Sequence, residues 1–222
     1  MAYRRTERVN KHLAARHSAI MAAARELAAA SGMGAVQIVP VAERAGIAAG
    51  TVYRYFPAKI DLVRALVTAT TEREVGAMRR AADAAPGPLS AIAAAITTFA
   101  ARAIRNRRLT YAMLAESVDA QVDAVQLDYR KALAAELASR IGVALASGHL
   151  PEQDVVLTSA ALVGILLEAL FGPLAPALSE TPSKVRATVQ TLTLLSLRAL
   201  GIVDARARGL VVQSAWPADE AA

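Results

Sequence analysis

The chain has 222 residues, 55% of them hydrophobic and 20% charged, with no cysteine and a formal net charge of +6. That is enough to bury a sizeable core in one small and one larger domain, and the missing cysteines exclude a disulfide framework and thiolate chemistry, which suits a cytoplasmic protein. Alanine richness with few aromatics argues for an all-helical build, and a basic start that runs straight into an Ala-rich amphipathic pattern does not read as a signal peptide.

Leu13, Ile20 and Leu27 recur every seven residues with Ala23 and Ala24 between them, which predicts a first amphipathic helix ending near Ser31-Gly32. Arg4, Arg5, Arg8 and Lys11 precede it and are read as a basic N-terminal arm. Ile38, Val41, Ala42 and Ala45 then fall at helical spacing, with Glu43 and Arg44 on the outer face. Gly46 follows the last apolar position, where a residue able to take positive φ ends a helix and turns the chain. A second short helix over 50–56 puts Val52 and Phe56 on its buried side and turns Ala49, Gly50, Thr51, Tyr53, Arg54 and Tyr55 outward. Two short helices folded over a glycine are a geometry that enters the major groove of DNA. Pro57 closes the unit, and a connecting helix from Lys59 toward Ala82 carries Leu62, Val63, Leu66 and Val67 on one stripe.

Pro86-Gly87-Pro88 breaks the chain before a helix marked by Leu89, Ile92, Ile96, Phe99, Ala103 and Ile104. A short helix over 109–116 and a longer one bearing Leu133, Leu137, Ile141 and Leu145 follow, up to Ser147-Gly148. Residues 155–178 are apolar around the whole circumference, broken by Glu168, Gly172, Pro173 and Pro176, and 182–200 repeat the theme. A helix apolar on all sides cannot face water, so these two stretches predict a homodimer through a four-helix interface. The rival reading of 155–178 is a membrane span, against which Glu168, the two prolines and the lack of a flanking basic cluster all weigh. Trp216 lies in an Ala/Pro-rich acidic tail.

Charge is distributed unevenly. Residues 1–64 hold ten Lys/Arg against four acids, and the rest of the chain holds fifteen of each, so the whole excess sits on the segment with the two short helices. Attraction to phosphate requires such a concentration, which an inert basic surface would lack.

From about Ala14 to Leu66 the chain resembles the DNA-binding domain of the TetR/AcrR transcriptional regulators, whose signature runs roughly I-A-x-x-A-G-V-S-x-G-T-L-Y-x-Y-F-x-x-K-x-x-L. Val41, Ala42, Ala45, Gly46, Ile47, Gly50, Thr51, Val52, Tyr53, Tyr55, Phe56, Lys59 and Leu62 match it identically or conservatively. Ala48 departs from it where a Ser or Thr usually caps the recognition helix, at a cost of about 1 kcal/mol, and Pro40 stands where a polar residue is usual. The resemblance implies a three-helix DNA-binding domain over 1–64, a helical effector-binding and dimerisation domain over 65–204 and a tail over 205–222. Double-stranded DNA with a palindromic operator, a small effector and a second copy of the chain are the implied partners. The two readers of such a dimer meet half-sites about 34 Å apart.

On this reading Thr51, Tyr53, Tyr55 and Lys59 bind phosphates, Ala49, Gly50 and Arg54 lie nearest base edges, and Gln37 and Arg44 add backbone contacts. The implied effector is small and mostly apolar. Phe99, Tyr111, Met113, Leu114, Glu116, Tyr129, Leu167 and Phe171 are its candidate contacts, because aromatics, Met and a lone acid among apolar positions suit a pocket with few polar anchors. Three histidines, His12, His17 and His149, offer no metal spacing and no nucleophilic triad, and the glycines form no phosphate loop. Glu116, Asp119, Asp123 and Glu168 read more simply as solvated acids or helix caps than as acid–base residues. No catalytic residue, metal or cofactor is therefore expected, and the function expected is a ligand-released repressor. The alternatives are a constitutive DNA-binding protein without effector and a membrane-associated helical protein.

Overall fold

The computed structural model describes residues 2–177 and 181–217, with side chains from residue 11 onward. Every regular element among them is helical: α1 (Ala2–Ser31), a 3-10 turn at Met33–Ala35, α2 (Ile38–Arg44), α3 (Ala49–Tyr55), α4 (Lys59–Asp83), α5 (Pro88–Arg105), α6 (Arg107–Leu114), α7 (Ala120–Ala146), α8 (Val155–Phe171), α9 (Pro182–Ala199) and α10 (Asp204–Gln213). The chain divides into two compact units, residues 1–69 with 108–127 and residues 70–107 with 128–222.

In the first unit α1 packs on the 3-10 turn and on α2, and α2 packs on α3. The buried face of α1 is Ile20, Ala23, Ala24 and Ala28, while Leu13 is 41% exposed. The seven-residue spacing of Leu13, Ile20 and Leu27 thus marks the edge of that face, and alanines form its centre. Helix α1 starts at Ala2, so the residues expected as a basic arm belong to a helix. Arg, Lys and Ala propagate a helix well, and no Pro or Gly interrupts them. At Gly46 φ is +66°, the Gly46 N–H donates to the Glu43 carbonyl at 3.1 Å and the Ile47 N–H to the Ala42 carbonyl at 3.0 Å. These bonds satisfy the last carbonyls of α2 and reverse the chain into α3.

In the second unit α5 packs on α9 and α8, and α9 on α10. Leu89, Ile92, Ile96, Phe99 and Ala100 are buried on α5, and a buried hydroxyl pair, Thr97 with Thr193 at 3.1 Å, joins α5 to α9. Asp154 caps α8, its Oδ1 accepting from the Val156 and Leu157 N–H groups at 2.8 and 3.0 Å. Helix α8 ends at Phe171, and Glu168 Oε1 accepts the Leu174 N–H at 3.0 Å in the loop beyond it. Residues 205–222, set apart in the sequence as a tail, begin inside α10, which buries Ala207, Leu210 and Val211. Among the described residues no helix is long and apolar enough to cross a membrane.

Candidate nucleic-acid interface

Helix α3 is two turns long and hangs on Val52, fully buried, and on Phe56 just past its end. That anchorage turns Gly50, Tyr53 and Arg54 to the surface, with Tyr53 51% exposed, and leaves Ala49, Thr51 and Tyr55 half-buried. The start of α3 has no side-chain cap, as Ala48 dictates, and the Ala48 carbonyl accepts the Thr51 N–H at 2.8 Å. The exposed Gly50, Tyr53 and Arg54 form a surface suited to phosphate and base edges.

The other predicted contacts hold partners within the unit. Tyr55 Oη donates to the Leu13 carbonyl at 3.3 Å, and His17 of α1 packs its ring 5.4 Å from that of Phe56. Gln37 Nε2 donates to the Gly34 carbonyl at 3.0 Å, and Arg44 Nη1 meets Glu26 Oε2 at 3.3 Å with both side chains exposed. Lys59 Nζ lies 3.5 Å from Asp119 Oδ2. Asp119 also caps α7, its Oδ1 accepting the Gln121 and Val122 N–H groups at 3.0 and 2.9 Å. The Val122 N–H, followed by the Lys59 charge, holds this carboxyl below the usual aspartate range.

A tether distant in sequence completes the unit. The Met33 N–H donates to Glu116 Oε2 at 2.8 Å across 83 positions. Gln126, itself buried, fixes the loop that presents Glu116, its Nε2 donating to the Ala112 carbonyl at 2.9 Å and to the Glu116 carbonyl at 2.8 Å. Asp119 and Gln126 were absent from the sequence-based site. Only the cap pattern of an acid just before an amphipathic run hinted at the first, and nothing local hints at the second.

The eight expected effector contacts divide between the units. Met113 and Leu114 are buried in the first unit, Tyr111 there is 42% exposed, and Glu116 spends an oxygen on Met33. Phe99, Tyr129 and Phe171 are buried in the second unit, and Leu167 is half-buried. Among the described residues no group of His, Cys, Asp and Glu is arranged to hold a metal ion.

Residues 20–66, which cover α2, α3 and the anchoring parts of α1 and α4, match the family described as "Bacterial regulatory proteins, tetR family". Over that segment the chain is similar to the TetR family. It is similar to the HTH-type transcriptional repressor KstR of Mycolicibacterium smegmatis, 36% identical over 109 residues, which are 49% of this chain and 53% of that protein. The chain spans about half the length or less of the curated relatives it matches. Two solved structures share the fold: FadR from Bacillus subtilis in complex with stearoyl-CoA, with TM-score 0.70, 19% identity, and 82% of this chain and 98% of that one covered; and RolR in complex with resorcinol, with TM-score 0.66, 21% identity, and 92% and 96% covered. The curated relatives it matches are named as transcriptional repressors, and the two solved structures share its fold.

Proposed function

We propose that the chain is a sequence-specific DNA-binding repressor that acts as a homodimer and leaves its operator when a small, largely apolar effector binds the second unit. The observation that carries this reading is the surface of α3, where Gly50, Tyr53 and Arg54 stand exposed over a buried Val52, in the segment that bears all the excess positive charge. Arg54 reads a base, Thr51 and Tyr53 position the helix on phosphates, and Lys59 adds charge at the start of α4. Dimerisation is supported by α8, whose outer face carries Val156, 76% exposed, and Leu157 beside Ala160, Ala161 and Gly164, with Leu195 exposed on α9. Small residues on such a face let two helices approach closely, and the apolar area needs a cover. The effector reading is supported by relatives named as repressors and by neighbours solved with resorcinol and with stearoyl-CoA. Phe99, Tyr129, Leu167 and Phe171 are the contacts proposed for it.

Selection of random duplexes by the purified protein, repeated at two salt concentrations, tests the reading. A palindromic motif with half-sites near one turn apart is expected. Lys59→Ala should weaken all sequences alike and lower the salt slope by about one per protomer, whereas Arg54→Ala should relax preference at one base position. Binding without any motif would reduce α3 to a nonspecific contact.

The Lys59–Asp119 pair gives a second expectation. A phosphate and Asp119 compete for one ammonium, so Asp119→Asn should tighten DNA binding about two- to fivefold, as for an exposed ion pair, while the asparagine keeps the α7 cap. Asp128→Asn removes the same charge from another exposed pair and serves as the control. Equal gains in both variants, measured by titration with a labelled duplex, would mean that net charge alone is responsible.

A further inference from the structure

Tyr129 is only 1% exposed, and its hydroxyl is the one buried side-chain polar atom among the described residues that has no hydrogen-bond partner. A phenol in that position has given up water and received nothing in exchange, which native interiors rarely tolerate without a reason. Its surroundings are charged. Arg102 of α5 grips Glu74 of α4 with Nε to Oε2 at 2.6 Å and Nη2 to Oε1 at 3.2 Å, Arg73 Nε adds a contact to Oε1 at 3.1 Å, and all three charges lie near enough to act on Tyr129. Burial first, and the Glu74 carboxylate after it, push the phenol up from its ordinary value, so the hydroxyl keeps its proton and can donate.

Both oxygens of Glu74 are engaged by guanidinium groups, and the phenol hydroxyl is left without an acceptor. An acceptor oxygen would complete it.

We propose that Tyr129 is the polar anchor of the effector site and that the effector is an apolar molecule ending in an acceptor oxygen. This rests on the effector reading above and adds to it the chemistry of the ligand. An apolar body suits the aliphatic and aromatic side chains that dominate the interior of the unit, and the acceptor oxygen completes the hydroxyl.

The test compares the wild type with Tyr129→Phe by thermal unfolding, first alone and then with two matched series: octanoate, 2-octanone and octane on one body, and benzoate, acetophenone and toluene on the other. Without ligand, Tyr129→Phe should melt about 2–4 °C higher, since it deletes an unsatisfied buried group. At least one series should stabilise the wild type more with its oxygen-bearing members than with its hydrocarbon, and Tyr129→Phe should bind the tightest of them about tenfold more weakly, as loss of one hydrogen bond gives. A lower melting temperature for unliganded Tyr129→Phe would show that the hydroxyl already has a partner, and would overturn the anchor. Equal stabilisation of both proteins would do the same while leaving an effector site intact, and absence of stabilisation from every compound would overturn the ligand class. DNA release by any stabilising compound is scored separately, so the anchor can fail without the repressor reading failing.

Discussion

Gly32→Ala is expected to be one of the most damaging single-methyl additions in the protein, lowering the stability of the first unit by about 3 kcal/mol. Two costs coincide there. Gly32 has φ +86° and ψ 176°, a region open to glycine and strained for any other residue by about 1–3 kcal/mol. A Cβ built on it would also stand 2.5 and 2.6 Å from the two carboxylate oxygens of Glu116. Those oxygens are not idle, since Oε2 receives the Met33 N–H at 2.8 Å. If Glu116 swings away to admit the methyl, the Met33 donor loses its partner at a further cost of about 1–3 kcal/mol. Gly46 offers the contrast: its φ is also positive, yet nothing lies within 4 Å of an added Cβ, so only the backbone term applies. Urea unfolding of Gly32→Ala, Glu116→Ala and the double variant separates the terms. The double variant should lose less than the sum of the singles by about 1 kcal/mol, because deleting the carboxylate removes the collision and leaves the strain. Strict additivity would mean that the methyl and the carboxylate do not meet.

Nothing near Gly32 in sequence reveals this dependence, and the reason separates what could be read from the chain from what could not. Helix α3 was legible because its pattern is local: Val52 and Phe56 lie four apart, a glycine precedes the helix, and Tyr53 and Arg54 can only point outward. Gln126, Glu116 and Met33 are joined by bonds spanning 10 and 83 positions, which no periodicity encodes. The first helix was legible in existence and end, but its inner face was assigned to leucines spaced by seven, whereas Ala23, Ala24 and Ala28 share it with Ile20. Alanine favours a helix without declaring which side is buried. Helix α10 escaped notice because Asp204–Gln213 is rich in Arg and carries Gly209 inside it. It buries Ala207, Leu210 and Val211, and packing against α9 and α5 overrides a weak local preference. Of the acids read as caps or solvated groups, Asp119 caps α7 and Glu168 binds the backbone beyond α8. A carboxylate ahead of an apolar run is a signal within one turn, while a carboxylate bound 83 positions away is not.

The second large effect is expected at the buried ion pair beside Tyr129. Glu74 and Arg102 expose only 12% and 9% of their side chains, and their contact is bidentate. Arg102→Met removes one partner and leaves the carboxylate in a dry interior with Arg73 alone, at an expected cost of about 3–5 kcal/mol by chemical denaturation. Arg102→Met combined with Glu74→Leu should recover most of that loss, to within about 1 kcal/mol of the wild type, because the desolvation of both charges disappears with them. The prediction fails if the double variant is as unstable as the single one, which would mean that Arg102 packs rather than pairs. Recovery would carry a further consequence. If two charges can be replaced by methionine and leucine at little cost, the pair contributes little net stability to the fold. The polar surroundings it gives an unpartnered phenol would then be the property that matters, and the recovered double variant should bind the stabilising oxygen-bearing compound less tightly than the wild type.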